Sequence, residues 1–144
     1  MGWIKTIVNE MKTKHKTSDP FELASLKKIH IIPWDLHEEI LGFYKYDKRN
    51  KYIFINNNLD NEMQKYICAH ELGHAILHPR VNTPFLRKNT LFSLDKIEVE
   101  ADIFAVEILI PDELLYENMN NTTTIYEASA AYGVPSEIIH LKKY

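Results

Sequence analysis

Met63-Gln64-Lys65-Tyr66-Ile67-Cys68-Ala69-His70-Glu71-Leu72-Gly73-His74-Ala75-Ile76-Leu77-His78-Pro79 is the stretch from which the rest of the chain is read. Met63, Tyr66, Ile67, His70, His74 and Leu77 keep helical spacing until Pro79, a residue that cannot extend the helix. Within it, His70 and His74 lie one turn apart on one face, where two imidazoles can converge on one ion. Glu71 is displaced about 100° around the axis, so its carboxylate can reach a water on that ion without ligating it. With 7 histidines in 144 residues, chance supplies roughly 0.03 such patterns per chain.

Catalytic zinc takes three protein ligands plus water, so a third ligand is required. The next strongly helical segment, from about Asp95 to Ile110 and ended by Pro111, offers Glu98 and Asp102 at i, i+4. They share a face with the apolar Ala105 and Leu109, and a buried carboxylate pair needs a partner. A metal and a ligating histidine supply one. Glu98 is therefore assigned as third ligand, and Asp102 as the group that holds the far ring nitrogen of a ligating histidine. Glu100, about 200° away, is expected to face solvent, as are Asp95 and Glu107.

These residues resemble a known family. HELGHAILHP over 70–79, a gap of twenty-odd residues, then EVEADIFAVEILIP over 98–111 is similar to the ImmA/IrrE zinc metallopeptidases. The places of the family pattern are filled by Leu77-His78, Glu98, Ala101-Asp102, Phe104-Ala105 and Leu109-Ile110-Pro111, with isoleucine before Pro111 where methionine is commoner. The small sheet ahead of the HELGH helix and the phrase Tyr132-Gly133-Val134-Pro135 fit as well. The resemblance implies a gluzincin-like, Zn2+-dependent peptidase. Its substrate would be a helix-turn-helix repressor of the same phage or mobile element, cut to release transcription. No appended DNA-binding or sensor domain is read from the sequence, which resembles the mobile-element type.

In this reading zinc is held by His70, His74 and Glu98, and Glu71 is the general base. His78 stands one turn beyond His74 and is read either as a supporting histidine or as a fourth ligand. The oxyanion donor is sought among His78, Tyr126, Tyr132 and His140. Lys51 to Asn56 is considered as a sheet edge for an extended substrate. Cys68 packs as a small hydrophobe, Trp34 is expected in the core or as a strand-end plug, and His15, His30 and His37 are surface or strand residues.

The remaining pattern is α+β: a small antiparallel sheet of about three strands packed with helices, in one domain spanning 1–144. Trp3, Ile4, Ile7, Val8 and Met11 form the apolar stripe of an N-terminal helix. Ser18-Asp19-Pro20 starts a short helix from Phe21 to Lys28. The sheet is expected over about 29–56, as Ile29 to Ile32, Ile40 to Tyr46 and Lys51 to Asn56, with a hairpin turn at Asp47-Lys48-Arg49-Asn50. The HELGH helix is expected over about 61–78 and the Glu98 helix over about 95–110, with an irregular connection over 80–94 between them. C-terminal helices follow over 112–143: Asp112 to Asn118, one ending near Tyr132 before the stop at Gly133, and Ser136 to Lys143.

Composition bounds the alternatives. Hydrophobic residues at 45% and charged residues at 26% describe an ordinary globular chain. Lys plus Arg total 17 against 20 Asp plus Glu, a net charge of -3, which argues against nonspecific phosphate binding. A single cysteine excludes a disulfide framework and fits a reducing compartment, and no apolar run reaches signal-peptide or membrane-spanning length, so the cytoplasm is the expected location. The last two helices resemble a helix-turn-helix in outline, which keeps a rival reading open: a zinc-stabilised, noncatalytic antirepressor or DNA-binding module. Only Lys142 and Lys143 are basic there, and a structural site has no use for Glu71.

Overall fold

The computed structural model describes residues 2–81, 85–88, 91–114 and 122–142. Helix α1 (Gly2–His15) buries Ile4, Val8 and Met11, the stripe expected from spacing, and packs on the helix over Lys96–Leu109. Trp3 departs from it: at the first turn it is 48% exposed. Helix α2 (Pro20–Leu26) begins where the sequence places it, with the Asp19 carboxylate accepting from the Phe21 N–H and Pro20 in the first turn.

Four strands, β1 (His30–Trp34), β2 (Ile40–Asp47), β3 (Asn50–Asn56) and β4 (Leu86–Arg87), form the sheet in the order β1-β3-β2-β4. The expected hairpin joins β2 (Ile40–Asp47) to β3 (Asn50–Asn56). Lys48 and Arg49 in its turn have φ of 50° and 68°, the double left-handed geometry that matches strand twist in a two-residue loop. Two features depart from the antiparallel three-strand expectation. Strand β1 (His30–Trp34) runs parallel to β3, paired from His30↔Tyr52 to Trp34↔Asn56, because the chain crosses past β3 before starting β2. A short β4 (Leu86–Arg87) inside the connection expected to be irregular adds antiparallel to β2. The sheet is thus mixed, within an α+β fold. Strand β3 is also interior, so Lys51 to Asn56 is not an edge; β1 and β4 are. Trp34, expected in the core or as a plug, is 58% exposed at the end of edge strand β1.

The buried side chains Ile53 and Ile55 of β3 and Leu41 of β2 join the core that α3 (Asn61–Leu77) packs against. Asp60 caps α3, its carboxylate accepting from the Met63 N–H at 2.8 Å, and His78 is the C-cap. Helix α4 (Lys96–Leu109) lies between α1, α3 and the closing 3-10 helix (Ser136–Leu141). Enclosure on several sides leaves little solvent face, which corrects the expectation for Glu107. That residue is 1% exposed, and its carboxylate accepts from Lys142 Nζ at 2.6 Å. Asp95, at the N-cap, is exposed as expected.

Helix α5 (Thr122–Ala130) precedes Gly133, whose φ of 78° makes it the expected stop. The final segment is a 3-10 helix rather than a longer α-helix. Of the short helix expected over Asp112 to Asn118, residues beyond 114 lie outside the described ones. Among the described residues, no helix is long and apolar enough to cross a membrane.

Candidate metal centre

Helix α3 presents His70 and His74 from successive turns, and α4 presents Glu98 from its first turn. One atom from each gathers within 4.8 Å of the others. His70 Nε2 lies 3.3 Å from Glu98 Oε2, and His74 Nε2 lies 2.8 Å from Glu98 Oε1. The two rings stand nearly perpendicular, at 84°. The approach of the helices sets this convergence. At Gly73 an added Cβ would stand 3.1 Å from Phe104 Cβ and 3.2 Å from the Ala101 backbone, tighter than ordinary contact, so the bare position favours the close approach.

Each histidine is held from behind. Asp102 Oδ1 lies 2.8 Å from His70 Nδ1 and accepts a second hydrogen bond, from Tyr66 Oη, at 2.6 Å. His74 Nδ1 lies 3.2 Å from His78 Nδ1, and His78 Nε2 lies 2.8 Å from Glu100 Oε1. Glu100 is therefore not solvent-facing as expected; α3 covers that side of α4, and Glu100 is 8% exposed.

Glu71 is 1% exposed, and its Oε1 has no hydrogen-bond partner among the described residues. Burial, reinforced by the charges of Glu98 and Asp102 and opposed by His70, raises its pKa to about 7. Burial opposes ionisation of Glu98, but contact with His70 and His74 outweighs it and holds the carboxyl well below the usual range. Burial likewise disfavours the charged form of both rings. It lowers the His74 value, whereas at His70 contact with Asp102 and Glu98 prevails and raises the value to about 10. The carboxylates that draw a proton to His70 also favour a cation there. Burial, then Asp102, pushes the Tyr66 hydroxyl well above its ordinary value.

The donor set fits a metal. His70 Nε2, which faces Glu98 Oε2, and Glu98 Oε1, which faces His74 Nε2, are both buried and lack a well-formed hydrogen bond among the described residues. Two imidazoles and one carboxylate converging in that state form a set that zinc accepts.

The family model described as the IrrE N-terminal-like domain matches residues 24–142. The chain belongs to the IrrE N-terminal-like family. Two relatives agree with this membership. "Uncharacterized immunity region protein 2" of Bacillus phage phi105 is 55% identical over 139 residues, covering 96% of this chain and 88% of the relative. "Metallopeptidase ImmA" of Bacillus subtilis (strain 168) is 30% identical over 141 residues, covering 96% and 83%. The resemblance read from the HELGH and EVEAD segments is thus the family found.

For this family member, sequence reading left out two residues at the site. Tyr66 precedes His70 by one turn, so the same i, i+4 spacing that links His70 to His74 points to it. Glu100 carried no such signal, because its partner His78 lies on another helix. Of the oxyanion-donor candidates, His78 is engaged with His74 and Glu100, while Tyr126, Tyr132 and His140 are exposed on the C-terminal segment.

Proposed function

We propose that this protein is a zinc-dependent endopeptidase of the cytoplasm that cuts a helix-turn-helix repressor of the same phage or mobile element and so releases transcription. The observation that carries the chemistry is the convergence of His70, His74 and Glu98 beside the buried Glu71, whose Oε1 has no partner among the described residues. The phage relative's name, with its immunity region, and the metallopeptidase name of the second relative support the biological setting.

His70, His74 and Glu98 are the residues that hold the metal. When bound, zinc supplies Lewis acidity, which acidifies water and polarises the scissile carbonyl. Glu71 would accept the proton of the attacking water and deliver it to the leaving amine, the role that fits a buried carboxyl placed beside the ligand set without belonging to it. Asp102 orients His70 and is itself held by Tyr66.

Co-expression with a helix-turn-helix repressor of the same phage or mobile element tests this reading. The native chain should yield a shortened repressor, whereas Glu98→Ala, or chelation of the purified protein, should leave it full length. A repressor that stays intact beside zinc-loaded native protein contradicts the proposal.

A further inference from the structure

Helix α3 ends at His78 because Pro79 follows, and the residue before a proline is pushed out of helical geometry. The His78 backbone N–H still donates to the His74 carbonyl, at 2.8 Å. The Pro79 carbonyl is pinned in turn by the Tyr44 hydroxyl, which donates to it at 2.5 Å. This C-cap turns the His78 ring back onto His74, with Nδ1 facing Nδ1 at 3.2 Å, and leaves its far nitrogen 2.8 Å from Glu100 Oε1. Both side chains are about nine-tenths buried.

We propose that His78 and Glu100 form a positioning relay that fixes the His74 imidazole for metal binding, a counterpart to Asp102 behind His70. The proposal rests on the ligand reading above, and the proton count follows from it. A His74 that ligates through Nε2 carries its proton on Nδ1. That proton is donated to His78 Nδ1, which must therefore be bare. His78 then carries its own proton on Nε2 and donates it to the Glu100 carboxylate. Only this arrangement of the two protons satisfies both contacts while leaving His74 Nε2 free for a cation. The same chain engages both nitrogens of His78, so it is not a fourth ligand.

Zinc affinity of the full-length protein, measured by competition with a chromophoric chelator, tests the relay. His78→Leu should weaken zinc binding by roughly 10–100-fold, the usual cost of losing an outer partner of a ligand. His78→Asn, whose Oδ1 can stand where Nδ1 stands, should recover most of that loss. Nitrogen NMR of the imidazole rings in the zinc-loaded native protein gives a readout that needs no variant to fold. It should show His78 as the Nε2–H form and His74 as the Nδ1–H form. Native-like affinity in His78→Leu, or a His78 protonated on Nδ1, overturns the relay. His74→Ala separates the two readings. If it leaves zinc binding unchanged, the ligand assignment fails and the relay with it; if it abolishes binding while His78→Leu does not, the relay alone fails.

Discussion

Tyr66 Oη and Asp102 Oδ1 are joined by a 2.6 Å hydrogen bond in the protein interior, and the same Asp102 oxygen lies 2.8 Å from His70 Nδ1. One carboxylate oxygen thus links the helix that carries two candidate ligands to the helix that carries the third. Orientation of His70 depends on a group that composition alone does not reveal.

Removing that charge should be felt at the metal. Asp102→Ala is expected to weaken zinc binding by roughly 10–100-fold, because His70 loses the partner that fixes its tautomer and ring angle. Tyr66→Phe keeps the partner but deletes one donor to a buried carboxylate, which should lower stability by about 1–3 kcal/mol. Zinc competition and urea denaturation distinguish the two effects.

Gly73→Val should destabilise the fold and loosen the site together. Its first added carbon alone would sit 3.1–3.2 Å from Phe104 Cβ and the Ala101 backbone, and overpacking of this kind costs about 1–3 kcal/mol. Relief requires α3 and α4 to separate, which carries Glu98 away from both histidines. Urea midpoint and zinc affinity should fall in the same variant.

The C-terminal segment is fastened by charge. Lys142 Nζ donates to Glu107 at 2.6 Å, with both side chains 1% exposed. Lys142→Met should lower stability, because the buried Glu107 carboxylate loses the nearer of two lysines, Lys5 Nζ lying farther off at 4.0 Å. Adding Glu107→Gln to that variant should restore part of the loss, since Lys5 at 4.0 Å offsets the buried charge less closely than Lys142 did.

Asp112 gives the same cluster a pH dependence. Burial opposes ionisation of Asp112, but hydrogen bonds from Lys142 and Lys5 prevail and hold its pKa below 3.8. A depressed folded value adds stability above the unfolded value and loses it as pH falls through the folded one. Asp112→Asn should therefore be less stable than the native chain at neutral pH, with the gap closing below about pH 3.8. A gap that persists unchanged in acid would contradict the ion-pair account. Denaturation curves across that range measure it.

Much of the site was legible because one-dimensional spacing maps directly onto a helix face. His70 and His74 at i, i+4, and Glu98 and Asp102 at i, i+4, meet in the structure as the spacing suggests. The same reasoning misplaced Glu100 and Glu107, which lie away from Glu98 on the helical wheel. A wheel assumes a solvent face, and α4, enclosed by α1, α3 and the 3-10 helix, has almost none. The run of apolar residues on all sides of Ile103 to Ile110 was the available sign of that enclosure. In the sheet, hairpin chemistry announced β2 and β3. Period-two alternation says nothing of which neighbour β1 will choose, so its parallel pairing with β3 was not legible. Partners distant in sequence, such as Lys142 for Glu107, leave no local trace at all.

The central claim is that Glu71 moves the proton at a metal held by His70, His74 and Glu98. Its most direct test is cleavage of the proposed helix-turn-helix repressor substrate by native and Glu71→Gln proteins loaded with equal zinc. The expected result is a shortened repressor with the native chain and at least a roughly 100-fold slower reaction with Glu71→Gln, at undiminished zinc content. Cleavage by Glu71→Gln at the native rate would contradict the account.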